Sequence, residues 1–344
     1  MAAKPPAVSA PTVSVIVPGW GAAPFLAEAL ASLQSQSRTD WEAIVVDDGD
    51  TDAVARVVAP FLADARFRLL QTDNGGLAVA RNRGIQAARA DRIALLDGDD
   101  RYRPDYLDCM LTALDAAPDI GFVTCDAWLF GAPAFQGKLF SELQSQTGPL
   151  NLERVIRREF RVFGAATMRR AALAAVGGYD ARLRSAEDLD LWIRLLEAGW
   201  RGVRVDAALY EYRRHAASLS ASGLSLARWV VQVYANAVER LEGRPEQAAA
   251  REMLVQSQNK LQIEEGMSAI LAGDLKRGVA TLASTDLASS SPKWRAVMAA
   301  IRLIPALARP VIRFYMRDHP FHRAQSSGRS GQASDGKQQE TPRS

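Results

Sequence analysis

Between Val13 and Asp100 the chain alternates short apolar runs with segments of helical period. Val13–Val17 is a β-branched run that reads as a strand. Pro24–Ser35 carries Leu26, Leu30 and Leu33 on one helical face, with Pro24 in the first turn, where its missing N–H costs little. Trp41–Val46 is a second buried strand, Ala53 to Leu62 a helix-like segment, and Phe67–Gln71 a short strand. Asn74-Gly75-Gly76 turns the chain into a helix carrying Ala80, Arg81 and Ile85. The run from Arg92 to Leu96 ends abruptly in carboxylates, the mark of a buried strand bounded by a turn. Strand and helix in alternation predict right-handed βαβ units and a parallel sheet, hence an α/β fold.

Further along, Ile120–Cys125 reads as a strand continuing toward Trp128. Residues 131–150 are poor in periodicity and read equally as an acceptor-binding loop or a plain surface excursion. Gly164–Met168 is a short apolar stretch beside the basic pair Arg169-Arg170. Gly177-Gly178-Tyr179-Asp180 is a turn, and Glu187–Leu196 a helix with its acids at the amino end, where the helix dipole favours them. Val203–Tyr212 is a strand. After Gly223 the pattern becomes helical over 226–241, 246–271 and 276–282, with a turn at Ala272–Leu275. That pair is similar to a single helix-turn-helix repeat of tetratricopeptide type.

From Trp294 to Arg317, a period of about 100° per residue puts Arg295, Arg302, Arg309, Arg313 and Arg317 on one narrow face. Trp294, Met298, Ile301, Ile304, Leu307, Val311, Ile312, Phe314 and Tyr315 fill much of the rest, and Pro305 and Pro310 are expected to kink or break the helix. A basic stripe beside a broad apolar face describes a helix lying on an anionic membrane surface. The competing expectation is a helix packed on its own domain. The expected divisions are a flexible 1–11, a catalytic domain 12–222, a helical extension 223–290, membrane-associating helices 291–323 and a disordered tail 324–344.

Composition narrows the picture. The chain has 344 residues, 48% of them hydrophobic, enough for one large domain and a smaller one. A net charge of +3 gives no argument for nucleic acid. Cys109 and Cys125 read as reduced thiols, without a disulfide framework or zinc site. No signal-peptide core opens the sequence and no apolar stretch reaches spanning length, so a cytoplasmic location is expected.

Two of the strand-like runs end in acids: Asp47-Asp48 and Asp97-Gly98-Asp99-Asp100. In open α/β sheets ligands bind at the carboxyl ends of the strands. Crowded carboxylates call for a cation. Hard oxygen donors with no His or Cys nearby in sequence favour Mg²⁺ or Mn²⁺ over zinc. Gly98 is expected to permit a sharp turn between the acids. A glycine-rich phosphate loop of the GxGxxG or Walker type is missing, which disfavours a dinucleotide dehydrogenase or a P-loop NTPase.

Four segments, in order, carry a resemblance to family 2 glycosyltransferases. They are Val13–Pro18, Ile44–Gly49, Asn74–Ile85 and Leu95–Asp100, and a fifth pairs the GGYD turn with Glu187-Asp188. The resemblance implies a GT-A fold, a Rossmann-like and mostly parallel sheet flanked by helices, followed here by the C-terminal helical region. It implies an inverting enzyme moving a sugar from a nucleoside diphosphate sugar, a UDP-sugar before the others, to a hydroxyl. The expected setting is bacterial surface polysaccharide or glycolipid synthesis on a lipid-linked acceptor at the inner face of the cytoplasmic membrane. Pro18, Trp20, Asp48 and Asn74 fall in the nucleotide-binding segments, with Asp48 expected on the base N–H. Asp99, helped by Asp97, matches the metal-binding DxD motif. Arg81 is expected to neutralise phosphate or to contact the nucleotide. Asp188 matches the catalytic base, and Glu187 would orient it or the acceptor. Tyr212–Ser220 resembles the closing motif, whose His215 and Arg213 would approach the metal and diphosphate. Trp20-Gly21 departs from the usual Tyr-Asn pair and Asp50 from the usual Ser; an indole can still stack on a base. Two alternatives remain beside this one: a nucleotidyltransferase on a similar sheet, for which Pro18–Gly21 lacks the basic residues, and a non-catalytic nucleotide-sugar-binding scaffold.

Overall fold

The computed structural model describes residues 10–49, 53–215, 223–286 and 292–318. The expectations for the first nine residues, for Asp50, for Ala216–Ser220 and for the tail from 324 lie outside the described residues. The chain divides into two compact units. The first comprises the described residues up to Phe130, Gln136–Arg213 and Ser225–Leu261; the second comprises those of Gly131–Phe135, Arg214–Leu224 and the chain from Gln262 onward.

The first unit is built on one mixed sheet. Its strands are β1 (Val13–Pro18), β2 (Trp41–Asp47), β3 (Phe67–Gln71), β4 (Arg92–Leu95), β5 (Arg101–Tyr102), β6 (Ile120–Phe130), β7 (Thr167–Arg169) and β8 (Arg201–Arg213). Their spatial order is β3-β2-β1-β4-β7-β6-β8-β5. β3, β2, β1 and β4 run parallel, in register Ile16 to Ile44 and Ile16 to Leu95. β7 is antiparallel to both neighbours, β6 and β8 are parallel, and β5 is antiparallel to β8. Every residue of β1 and β2 is buried, as expected of parallel strands covered on both faces.

Alternate residues serve two cores, one on each side of the sheet. Val15, Val17, Val45 and Leu96 pack with α1 (Ala23–Gln34), α2 (Ala53–Val58) and α4 (Tyr106–Asp115). Ile16, Ile44, Ile93 and Leu95 pack with α3 (Leu77–Ala87), α8 (Glu187–Glu197) and α9 (Gly223–Arg240). The shorter α5 (Phe140–Leu143), α6 (Leu152–Ile156) and α7 (Arg170–Ala175) lie between α4 and α8 in sequence. The α3 helix comes so close to the sheet that a Cβ on Gly84 would sit 2.4 Å from Ile16 Cγ2. Beneath it, Glu42 is buried and accepts from Ser14 Oγ, the Arg89 N–H and the Arg68 guanidinium. Burial alone would raise its carboxyl pKa; these donors hold it below the ordinary value.

One expectation changes here, and a second segment gains its attachment. The boundary at 222/223 does not separate cores: Val233, Tyr234 and Ala237 of α9, and Ala249 and Ala250 of α10 (Gln247–Ala272), complete a core of the first unit. The 131–150 segment is tied back to the sheet beyond Phe135. Leu129 N–H donates to Lys138 O, Gly137 N–H donates to Leu129 O, and Ser141 Oγ donates to the buried Asp126.

In the second unit α11 (Leu275–Ala283) follows the turn at Gly273-Asp274, where Asp274 caps the helix through the Arg277 N–H at 3.1 Å. Then come α12 (Pro292–Leu303), a 3-10 turn at Pro305–Leu307 and α13 (Ala308–Asp318). Pro305 ends the first helix as expected, but Pro310 lies in the first turn of α13, where proline is tolerated. The continuous helical face expected from Trp294 to Arg317 therefore does not exist. Trp294, Met298, Ile301 and Ile312 do not face outward either: they are buried with Met267, Ile270 and Leu282 in this unit's own core. Extracting such side chains would forfeit about 1.5–3 kcal/mol each, which membrane insertion would first have to recover. None of the described helices is long and apolar enough to cross a membrane.

Candidate active site

The site is assembled where β4 leaves the sheet. The chain turns at once, with the Asp100 N–H donating to Asp97 O at 3.0 Å. Gly98 is needed for space rather than for an unusual dihedral. Its φ is not positive, but a Cβ there would lie 2.7 Å from the Ala22 side chain and 2.8 Å from Pro18 O. The loop thus runs against the end of β1, which places Pro18 and the acidic turn side by side.

The turn is braced from β8. Tyr210, fully buried, accepts from the Asp97 N–H at 3.3 Å and donates its hydroxyl proton to Asp100 Oδ2 at 3.0 Å. The Arg213 N–H donates to Asp100 Oδ1 at 2.7 Å and its Nε donates to Asp99 O at 2.7 Å. Burial, with the Asp99 and Asp97 charges beside it, pushes the Asp100 carboxyl well above the carboxylate range. Asp100 is therefore a brace of the loop, whereas Asp97 and Asp99 remain partly exposed. The Arg213 guanidinium, expected at the diphosphate, also bonds Glu28 at 2.8 Å and lies over the Phe25 and Phe130 rings. It is engaged on the protein side of the loop. His215 belongs to the second unit.

Arg81 joins two of the motifs read from the sequence. Only 3% exposed, it donates from Nη2 to Asp97 Oδ1 at 2.8 Å and from Nη1 to Glu187 Oε1 at 2.7 Å, with the Tyr179 ring beneath at 5.3 Å. Its neighbour Asn82 donates to Tyr179 O at 2.8 Å and accepts from the Tyr179 N–H at 2.9 Å. The helix after Asn74, the acidic loop, the GGYD turn and the start of α8 are thus locked together. Burial pushes Glu187 up to about 7 against the pull of Arg81, with the Asp188 charge adding to the rise.

The three acids that open α8 are in different states. Asp190 is buried and paired with Arg194 at 2.6 Å. Glu187 is held by Arg81. Asp188 stays partly exposed, accepts from the Leu189 N–H at 2.7 Å, and has Gly164 close to its other oxygen. The residue before them, Ala186, is left-handed at φ 59°, strain of a kind that collects at functional sites.

At the end of β2, Asp48 is 1% exposed and accepts from Gly76 N–H at 2.7 Å, Gly75 N–H at 3.0 Å and Arg83 Nη1 at 3.2 Å. It shapes the loop that carries Asn74. Asn74 itself is exposed on that loop, and Trp20 is 56% exposed, a ring available for stacking.

Among the described residues no three His, Cys, Asp or Glu side chains gather as a metal cage. The acid loop nevertheless fits the cation that the fold implies, because Mg²⁺ or Mn²⁺ is commonly held by one or two carboxylates with substrate phosphates and waters completing the shell. Asp97 and Asp99 offer that set. A separate cavity of about 660 Å³ lies toward the opening of β8, lined by residues including Gln146, Phe160 and Arg204. There Arg204 is taken up by Gln146, Asp206 and Asp126.

A mixed sheet with acidic strand ends and an acid-opened helix is a fold of the GT-A type. The sequence profile of Glycosyl transferase family 2 matches residues 14–177, and EpsE of Bacillus subtilis (strain 168) is 32% identical over 212 residues, 60% of this chain and 74% of that one. The chain belongs to glycosyl transferase family 2. ExoO of Rhizobium meliloti (strain 1021), a succinoglycan biosynthesis protein, is 41% identical over 116 residues, a third of each chain. S. aureus TarS 1-349 in complex with UDP-GlcNAc shares the fold at a TM-score of 0.60 and 19% identity, covering 93% of this chain and 92% of that one. Mannosyltransferase PcManGT of Pyrobaculum calidifontis, in complex with GDP-Man and Mn²⁺, does so at 0.56 and 20%, covering 94% and 88%.

Proposed function

We propose that this family member is an inverting glycosyltransferase that moves a sugar from a nucleoside diphosphate sugar, UDP-linked in the first instance, to a hydroxyl of a lipid-linked saccharide during surface polysaccharide assembly. The observation that carries the reading is the Arg81 bridge, since it sets the start of α8 beside the acidic loop at hydrogen-bond range. The relative ExoO, named for succinoglycan biosynthesis, supports the polysaccharide setting, and the TarS and PcManGT complexes support a nucleotide-sugar donor.

In this reading Trp20 stacks on the base, and the loop shaped by Asp48 and bearing Asn74 borders the nucleoside. Asp97 and Asp99 would hold Mg²⁺ or Mn²⁺. The cation, when bound, offsets the charge that develops on the departing diphosphate. Asp188 accepts the proton of the acceptor hydroxyl. That oxygen forms its bond to the anomeric carbon as the bond to the diphosphate oxygen breaks on the opposite face. One displacement inverts the centre and needs no covalent sugar–enzyme intermediate, unlike the retaining route of glycosidases. Arg81 holds Glu187, and through it the first turn of α8, in place. The protein would work peripherally at the inner face of the cytoplasmic membrane, where a lipid-linked acceptor is presented.

A thermal-shift panel of nucleoside diphosphates with and without Mn²⁺ identifies the base, because a bound ligand raises the melting temperature by mass action. Asp188→Asn keeps the shape but not the basicity: transfer should fall roughly 10²- to 10⁴-fold with nucleotide affinity unchanged. Near-normal transfer by this variant would assign the base elsewhere.

A further inference from the structure

The sequence from Pro292 to Arg317 holds six basic residues, Lys293, Arg295, Arg302, Arg309, Arg313 and Arg317, and not one acid. With Trp294, Met298, Ile301 and Ile312 committed to the interior, the outer side of these helices should be polar if it met only water. It is not. Leu303 is 82% exposed, Phe314 66%, Ile304 53% and Leu307 41%, clustered at the break between the helices and on the outer face of α13. Ala296, Ala299 and Ala300 are exposed on α12 as well, and among the described side chains Arg295, Arg309 and Arg313 are the exposed charges set among them, Arg309 Nε also donating to Ile270 O at 3.4 Å.

We infer that this outer elbow, from Arg295 through Leu303–Leu307 to Phe314, is the surface by which the protein docks on an anionic lipid bilayer. The inference rests on the proposed lipid-linked acceptor and names the contact that would bring the enzyme to it. Large apolar side chains at a helix break enter the acyl boundary without unfolding anything, since they are already outside the core. The arginines meet lipid phosphates, and no acid between Pro292 and Arg317 brings the repulsion that such a surface would impose on it. Charge complementarity decides the occupant: a second copy would set these arginines against its own, whereas an anionic bilayer supplies the opposite sign throughout. The docking surface keeps Ile304, Leu307 and Phe314 from the apolar face suggested by the helical period and loses Trp294, Met298, Ile301 and Ile312, which are buried.

The test is flotation of the full-length protein with phosphatidylglycerol-containing vesicles and with pure phosphatidylcholine vesicles, at low and at high salt, for wild type and for Leu303→Ser combined with Phe314→Ser. Wild type should float with the anionic vesicles, stay down with the neutral ones, and be released by salt. The double variant should bind the anionic vesicles about tenfold or more weakly while keeping the wild-type melting temperature, since both side chains lie outside the core. A double variant that floats like wild type, or a wild type that ignores anionic vesicles at low salt, overturns the inference. So does a lipid-free wild type that runs as a dimer which the double variant dissolves, because the elbow would then be a contact between copies. Mn²⁺-dependent donor hydrolysis by the same preparations separates the two readings. Lost flotation with intact hydrolysis faults the surface alone, and lost hydrolysis in wild type faults the catalytic reading.

Discussion

Strand β2 leads into Asp47 and Asp48, strand β4 into Asp97, Asp99 and Asp100, and the two strands flank β1 in the parallel part of the same mixed sheet. At the β2 end the following loop folds back, so that Gly75 and Gly76 spend their N–H groups on Asp48. At the β4 end the bracing comes from β8, where Tyr210 and Arg213 take up Asp100 and leave Asp97 and Asp99 partly exposed. The same residue type at the same position of a strand is thus buried among the chain's own donors in one place and partly exposed in the other. The difference lies in where the chain's own donors arrive, and those donors come from 27 and 28 residues away in the first case and 110 and 113 in the second.

Arg81 offers the largest way to break this comparison. Arg81→Met would leave Glu187 buried without its cation and Asp97 without its anchor. Losing one partner of a buried pair costs about 3–5 kcal/mol, and the one-third exposure of Asp97 argues for the lower end. Denaturant unfolding measures it. If Arg81 instead contacts the nucleotide, the variant should lose affinity with its stability intact, and the β4 end would not depend on this bridge.

Asp48→Ala comes next. It strips the charged acceptor from two partly buried N–H groups and should cost about 1–3 kcal/mol in the same experiment. Its effect on Mn²⁺-dependent nucleotide binding should be smaller than that of any change at Asp99. A variant of wild-type stability that has lost nucleotide binding would make Asp48 a ligand after all, and erase the contrast between the strand ends. The smallest effect is expected at Ala186, whose left-handed backbone a glycine adopts freely. Ala186→Gly should stabilise the fold by about 1 kcal/mol, and a loss of stability would show that no strain is stored there.

The parallel half of the sheet was legible because β1, β2 and β4 are buried on both faces and read as unbroken apolar runs. The strand β7, three residues long and reversed, offers no period to read. Within the site, Asp97, Asp99, Glu187 and Asp188 stand out as acids at the ends of apolar or helical patterns. Tyr210 and Asn82 do not, since a tyrosine inside a strand and an asparagine inside a helix carry no sign of a partner a hundred residues away. The C-terminal helices show the opposite failing. Their periodicity reveals two faces but not which one is covered, and the 3-10 turn at Pro305–Leu307 interrupts the period between them.

The central claim is that Asp97 and Asp99 hold the cation that allows this protein to use a sugar nucleotide. Release of sugar from UDP-GlcNAc and the other common nucleotide sugars, followed with and without Mn²⁺ or Mg²⁺ in wild type and in Asp99→Asn, tests it most directly. Wild type should turn over one donor only when the cation is present. Asp99→Asn should lose at least the ~10–100-fold that even an outer-shell partner costs, with no change in melting temperature when ligand is absent. Turnover by Asp99→Asn equal to wild type, or cation-independent turnover by both, would contradict the claim.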